Sequence, residues 1–342
     1  GGGRLVVVSQ RLWLAVNVET RGVAPFELPE AWTIDHQLPP RIGERLGRTR
    51  LIGTSAGRLV AYEAEQGGRP EIVQGRPLSE LTRGDVDILS AGLEPDADVL
   101  ALLARPRGES IAHLVRIDAE TFEVISSMRH KPPLASIATI SNDPEGLLAA
   151  TTPEARRKRA FAIARYDFEG KASAQFDQET LGEQLAGFRS AVAWPEESRL
   201  YASYSSFDYF ATDRVNASPS LLVLRDNRIV FASNELQRRF APTASVVIDH
   251  AWALDTASGR LWFATLPREG VGHGEASLLG VDARTLRPAP ATALAGVERV
   301  LHIAALPEGA VAFCRLAGGG HGIARVRSDD GDDKLTIDRL PI

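Results

Sequence analysis

The sequence predicts an all-β chain: one β-propeller of about seven four-stranded blades, the first of them incomplete. Three observations predict it. Long helical patterns are nearly absent. Short apolar runs rich in Val, Ile, Leu, Tyr and Phe are broken instead by clusters of Gly, Pro, Asp and Asn. These breaks recur at a spacing that fits one blade.

The first recurring element is an apolar strand, a short acidic or Gly-containing turn, and a second apolar strand. It runs Ile88–Leu93, Glu94–Asp98, Val99–Leu103, and returns at 137–150, 191–204, 251–265 and 303–316. Anchored on Leu93, Ile140, Trp194, Leu254 and Leu306, the copies are 47, 54, 60 and 52 residues apart. That is the length of four strands and their loops. A second element follows each copy: an apolar strand ending in an acid, a turn, and another strand. His113-Leu114-Val115-Arg116-Ile117-Asp118-Ala119-Glu120-Thr121 and Leu278-Leu279-Gly280-Val281-Asp282-Ala283-Arg284-Thr285 are its clearest forms. Asp and Thr suit this position because their side chains bond the backbone of the turn that follows.

Together these elements divide a single domain, 1–342, into blades at about 4–28, 31–80, 86–130, 134–180, 187–236, 245–292 and 299–342. The first has three recognisable strands. The expectation is that it is irregular, that residues upstream of Gly1 have been removed, or that a partner chain completes it.

The "strand, Ile-Asp, x-x-Thr, strand" pattern resembles the broad β-propeller repeat group. That group includes the YVTN/YncE-type proteins and the propeller subunits of quinoprotein amine dehydrogenases. The segment Leu51-Ile52-Gly53-Thr54-Ser55-Ala56-Gly57-Arg58-Leu59-Val60-Ala61-Tyr62 is similar to a quinoprotein-type blade. The resemblance covers nearly the whole chain and implies architecture alone, because such propellers serve many unrelated functions.

Composition excludes several classes. A chain of 342 residues that is 44% hydrophobic and 24% charged can bury a large core. A net charge of −5 is too mild to name a partner. The single cysteine, Cys314, excludes an intrachain disulfide and a cysteine metal cage, and its apolar setting reads as a buried strand residue. No apolar stretch reaches the roughly 18 residues of a membrane span. The compartment stays open between cytoplasmic and exported.

In a propeller the inner strand of each blade begins at one face, here called the upper face. Strand direction then sorts the loops. The lower loops carry many acids, including Asp118, Asp143, Glu196, Glu197, Asp255 and Asp282, for which turn chemistry is the plain explanation. The upper loops carry Arg105, Arg107, Arg129, Lys131, Arg214, Arg268 and the run Arg156-Arg157-Lys158-Arg159. Turn propensity does not favour Arg, so this bias suits an anionic ligand or an acidic protein partner. Nucleic acid is disfavoured, because aromatic residues are sparse near the one dense basic run.

Counting back from the anchors places Leu89, Ser136, Ser190, His250 and His302 at one equivalent position near the channel mouth. Ile88, Ala135, Arg189, Asp249 and Leu301 stand one residue earlier. His250, His302 and Asp249 are the candidate catalytic residues. The two histidines are candidate ligands for a divalent metal in the channel, although nothing in the sequence requires a cofactor. Strand alternation sends Asp249 and His250 to opposite sides, which argues against all three binding one ion. A Ser136–His250–Asp249 hydrolase is a further arrangement, without a nucleophile elbow. Arg189, Ser136 and Ser190 join the binding candidates. So do Tyr204, Phe207, Tyr209 and Phe210 around the longest loop, where clustered aromatics suit a protein contact.

Two functions follow as expectations. The first is a non-enzymatic binding or scaffold propeller that presents a basic upper face, within a larger complex. The alternative is a metal-assisted hydrolase of the lactonase type at the channel mouth.

Overall fold

A computed structural model describes the protein at residues 4–8, 12–17, 23–27, 41–45, 48–55, 57–65, 71–82, 84–94, 98–141, 143, 146–152, 163–176, 185–206, 218–226, 228–233, 252–265, 275–306, 309–329 and 332–339. It is a β-propeller, built almost wholly of antiparallel strands in successive sheets. The first sheet holds β1 (Arg4–Val8), β2 (Leu12–Asn17) and β3 (Val23–Glu27), three strands among the described residues. The second is β4 (Arg41–Arg45), β5 (Arg48–Ser55), β6 (Arg58–Glu65) and β7 (Glu71–Pro77), followed by the one-turn helix α1 (Leu78–Thr82). The third is β8 (Val86–Leu93), β9 (Val99–Pro106), β10 (His113–Asp118) and β11 (Val124–Arg129).

The fourth sheet is β12 (Leu134–Ser141), β13 (Leu147–Thr151), β14 (Ile163–Tyr166) and β15 (Ala172–Phe176). The fifth is β16 (Leu185–Trp194), β17 (Arg199–Ser206), β18 (Ser218–Arg225) and β19 (Arg228–Ser233). The sixth is β20 (Trp252–Asp255), β21 (Arg260–Thr265), β22 (Ser277–Asp282) and β23 (Thr292–Ala293). The seventh is β24 (Val297–Leu306), β25 (Gly309–Leu316), β26 (His321–Asp329) and β27 (Asp332–Arg339). The first strand of each complete sheet is the inner one. Inner strands run side by side, and β12 even pairs in parallel with β16 through Ile140↔Ala191 and Ser141↔Val192.

The core lies between sheets, which explains why the middle strands read as continuous apolar runs: both of their faces are covered. Trp13 and Phe26 pack on Leu51 and Tyr62 between the first and second sheets. Ile52 and Leu59 meet Leu93 and Leu102 across the next gap. Leu103 and Leu114 then meet Ile137 and Leu147. Ile140 and Leu148 meet Phe188 and Tyr204. Trp194 and Tyr201 meet Leu254 and Phe263, and Trp262 and Leu278 meet Ile303 and Cys314. Each fully buried large side chain contributes about 1.5–3 kcal/mol, so the gaps between blades hold most of the stability. Cys314 is fully buried there, and burial pushes its thiol up to about 12. It is a core residue, as its apolar neighbours predict.

The outer hairpins of the third and sixth sheets are closed by one and the same turn. Asp118 Oδ1 accepts from the Thr121 N–H at 2.7 Å and its hydroxyl at 3.0 Å; Asp282 Oδ1 accepts from the Thr285 N–H at 2.6 Å and its hydroxyl at 2.7 Å. The next residue, Phe122 or Leu286, turns through positive φ, 57° and 56°, with its side chain buried.

Candidate binding face and channel mouth

Every described inner strand with a long ladder is interrupted near its upper end by a β-bulge. Register shifts between Ile88 and Ser90 on β8, Leu134 and Ser136 on β12, Phe188 and Ser190 on β16, and Val300 and His302 on β24. The extra residues are Leu89, Ala135, Arg189 and Leu301. This corrects the sequence alignment in one blade. Ser90, not Leu89, is equivalent to Ser136, Ser190 and His302, because each of these follows its strand's bulge, and the bulge of β8 lies one residue nearer Leu93 than the other bulges lie to their anchors.

The corrected column has a common use. The Ser90 hydroxyl accepts from the Ile137 N–H of the next inner strand at 2.8 Å. The Ser136 hydroxyl accepts from the Phe188 N–H at 3.0 Å. The Ser190 hydroxyl accepts from Trp252 Nε1 at 2.8 Å and also contacts the Ser203 hydroxyl at 2.8 Å. Each hydroxyl thus latches its blade to the following one. Ser136 and Ser190, selected in the sequence as binding residues, have their hydroxyls engaged in these latches. Ser90 escaped sequence reasoning because of the one-residue offset.

His302 occupies the same column in the last sheet. The bulge breaks strand alternation here, since Leu301 and His302 are both exposed. The alternation expected of adjacent mouth residues therefore fails at this point. Water reaches the imidazole, yet desolvation holds its pKa below the ordinary histidine value.

The other candidates divide by location. Tyr204 is 1% exposed and belongs to the core between the fourth and fifth sheets. Arg189 is the bulge residue of β16. Asp249, His250, Arg156, Arg157, Lys158, Arg159, Phe207, Tyr209 and Phe210 lie outside the described residues. Among the described residues, no group of three or more His, Cys, Asp or Glu is placed to hold a metal ion. No helix of the described residues is long and apolar enough to cross a membrane.

On the upper face three of the described arginines have carboxylate partners within their own sheets. Arg105 pairs with Asp87 at 3.1 Å, Arg107 with Asp85 at 3.0 Å, and Arg315 with Glu298. Asp85 and Asp87 were missing from the sequence tally, although strand pairing of β8 with β9 sets them opposite these arginines. Arg129 and Lys131 are exposed, whereas His130 is buried with its Nδ1 at 2.9 Å from the Pro132 carbonyl and its ring edge-on to Tyr166. On the lower face the aspartates are turn residues. Asp118 and Asp282 close their hairpins, Asp167 accepts from the Lys171 N–H, and Asp255 accepts from the Ala257 N–H. Arg165 pairs with Asp143, and Arg284 pairs with Glu197 while stacking over Trp194 at 4.7 Å.

No known protein family and no curated protein sequence matches the chain. Solved structures do. Hydrazine synthase of Kuenenia stuttgartiensis is similar with a TM-score of 0.52 and 10% identity, over 99% of this chain and 93% of that one. Dihydro-heme d1 dehydrogenase NirN, in complex with DHE, is similar with a TM-score of 0.52 and 11% identity, over 99% and 74%. BamB from Moraxella catarrhalis follows at 0.47 and 13%, over 90% and 78%. The resemblance to propeller repeat proteins holds at the level of architecture. At such identities the likeness shows the fold alone.

Proposed function

We propose that the chain is a non-enzymatic binding propeller that offers its upper face to an anionic ligand or the acidic surface of a protein partner, as one subunit of a larger complex. The observation that carries this reading is the distribution of balanced charge. Arg105, Arg107 and Arg315 are each matched by a carboxylate of their own sheet. The run Arg156-Arg157-Lys158-Arg159, between Thr152 and Ile163 of the fourth sheet, is the one dense stretch of positive charge in the sequence. Thr152 follows β13 and Ile163 begins β14, both at the upper end of that sheet. Engagement of the Ser136 hydroxyl by the Phe188 N–H counts against the Ser136–His250–Asp249 hydrolase.

A metal-assisted hydrolase is the second reading, favoured by one observation. The bulge on β24 leaves Leu301 and His302 exposed together, so neighbouring mouth residues are able to share a side.

One set of proteins separates the two. A fluorescent hexaglutamate peptide should bind the wild type at low salt and weaken at about 0.15 M salt. Reversing Arg156, Arg157, Lys158 and Arg159 to Glu should abolish that binding, while Arg107→Gln leaves it within about twofold. Salt-insensitive binding, or unchanged binding by the reversed variant, contradicts the binding reading. Divalent metal that co-purifies with wild type and is lost in His302→Ala favours the hydrolase.

A further inference from the structure

In the third and sixth sheets the second strand opens opposite an aspartate at the end of the third strand. Val99 stands opposite Asp118, and Arg260 stands opposite Asp282. The fifth sheet departs from this pattern. Arg199, which opens β17, stands opposite Arg225 at the end of β18, and Arg225 stands opposite Arg228, which opens β19. Directly opposed residues share one face of a sheet. Here it is the face turned to the sixth sheet, since Tyr201 and Val223, each two residues from its arginine, pack with Leu254 and Phe263. Three arginines thus stand in one row on the lower rim, about 5 Å apart from strand to strand.

Such a row is costly, because like charges directly opposite each other destabilise a sheet. At comparable pairs elsewhere an acid relieves the repulsion. Arg48, opposite Arg45, bonds Glu65 at 3.0 Å and lies 3.6 Å from Glu63. Arg315, opposite Arg299, pairs with Glu298. Among the described residues, no acid of another strand does this for Arg225 or Arg228. Arg225 meets its own neighbour Asp226 at 3.8 Å, near the limit of an ion pair. The acids close by are committed: Glu197 pairs with Arg284 at 2.7 Å, and Asp282 accepts from the Thr285 N–H and hydroxyl.

Arg199 is anchored. It is half-buried, and its Nη1 donates at 3.2 Å to the Ala283 carbonyl, which also accepts from the Tyr201 hydroxyl at 2.8 Å. Arg225 and Arg228 are exposed beside it. One anchored and two exposed guanidinium groups suit a compact dianion, because the arginine fork matches the oxygens of phosphate. A row of about 10 Å fits one tetrahedral group better than an extended acidic chain.

We propose that Arg199, Arg225 and Arg228 form a second binding site, on the lower rim between the fifth and sixth sheets, for a phosphate dianion that is either free or carried as a phosphomonoester. The site is independent of the upper face.

Calorimetric titration of the full chain with inorganic phosphate and with glycerol 3-phosphate, at constant ionic strength, tests this. Wild type should bind at one site. Equal affinities support the site with free phosphate as its ligand; tighter binding of glycerol 3-phosphate supports it with a phosphomonoester. Arg225→Asp sets an acid opposite Arg199, as Asp282 stands opposite Arg260. It should abolish binding and, in phosphate-free buffer, raise the unfolding midpoint. Arg228→Thr should weaken binding by about tenfold and raise the midpoint as well. Reversing Arg156, Arg157, Lys158 and Arg159 to Glu should leave phosphate binding within about twofold, which separates this site from the upper face. A wild type that binds neither compound at millimolar concentration overturns the proposal. So does unchanged binding in Arg225→Asp or Arg228→Thr, a loss of binding accompanied by a lowered midpoint, or a loss in the upper-face variant.

Discussion

Asp118 and Asp282 are small features that explain much of what the sequence reveals. Each ends a third strand, and each carboxylate gathers the N–H and hydroxyl of the Thr three residues later. Partial burial alone would raise the Asp282 carboxyl. The Thr285 hydroxyl, the N–H groups of Thr285 and Arg284, and the Arg284 charge outweigh it and hold the pKa below the ordinary carboxylate value. A carboxylate with a depressed folded pKa stabilises the fold above its unfolded value, about 3.9, and loses that contribution as pH falls through the folded one. Asp282→Ala should therefore cost about 1 kcal/mol at neutral pH, a modest figure because the group is largely exposed. Urea denaturation should find the gap between wild type and variant closing below about pH 4. A gap independent of pH would mean that the ionised carboxylate is not what closes the turn. These turns were legible in the sequence because the chemistry is local: Asp, Thr and the turn backbone lie within a few residues of one another.

At the scale of strands, the inner-strand bulges were not legible. Strand positions could be counted back from Leu93, Ile140, Trp194 and Leu306, but the bulge of β8 lies one residue nearer its anchor than those of β12, β16 and β24, so Leu89 falls where Ser90 belongs. Its consequence, a column of serine hydroxyls joining successive blades, depends on contacts 47 to 62 residues apart in sequence. Such a latch can be tested. Ser136 is 6% exposed and its hydroxyl is the acceptor for the Phe188 N–H. Ser136→Ala should cost about 1–2 kcal/mol, because a buried donor loses its partner. Chemical denaturation that shows no loss would contradict the latch.

For the whole molecule, the propeller was legible from the repeat, since each blade must bury both faces against its neighbours and so repeats the same apolar runs. The charge asymmetry was legible only in part. Arg105 and Arg107 counted as free positive charge until strand pairing set Asp87 and Asp85 beside them. What remains is the proposal that Arg156–Arg159, between Thr152 and Ile163 in the sequence, supply the positive charge of the upper face, while Asp118, Asp282 and Glu197 on the lower face are committed to turns and an ion pair. The central claim is that binding belongs to the upper face. Hydrogen exchange of the full chain, with and without hexaglutamate, tests it most directly. The account predicts added protection around Thr152, Ile163 and the neighbouring upper ends, with no change at the Asp118–Phe122 and Asp282–Leu286 turns. Protection at those lower turns, with none at the upper ends, would contradict it.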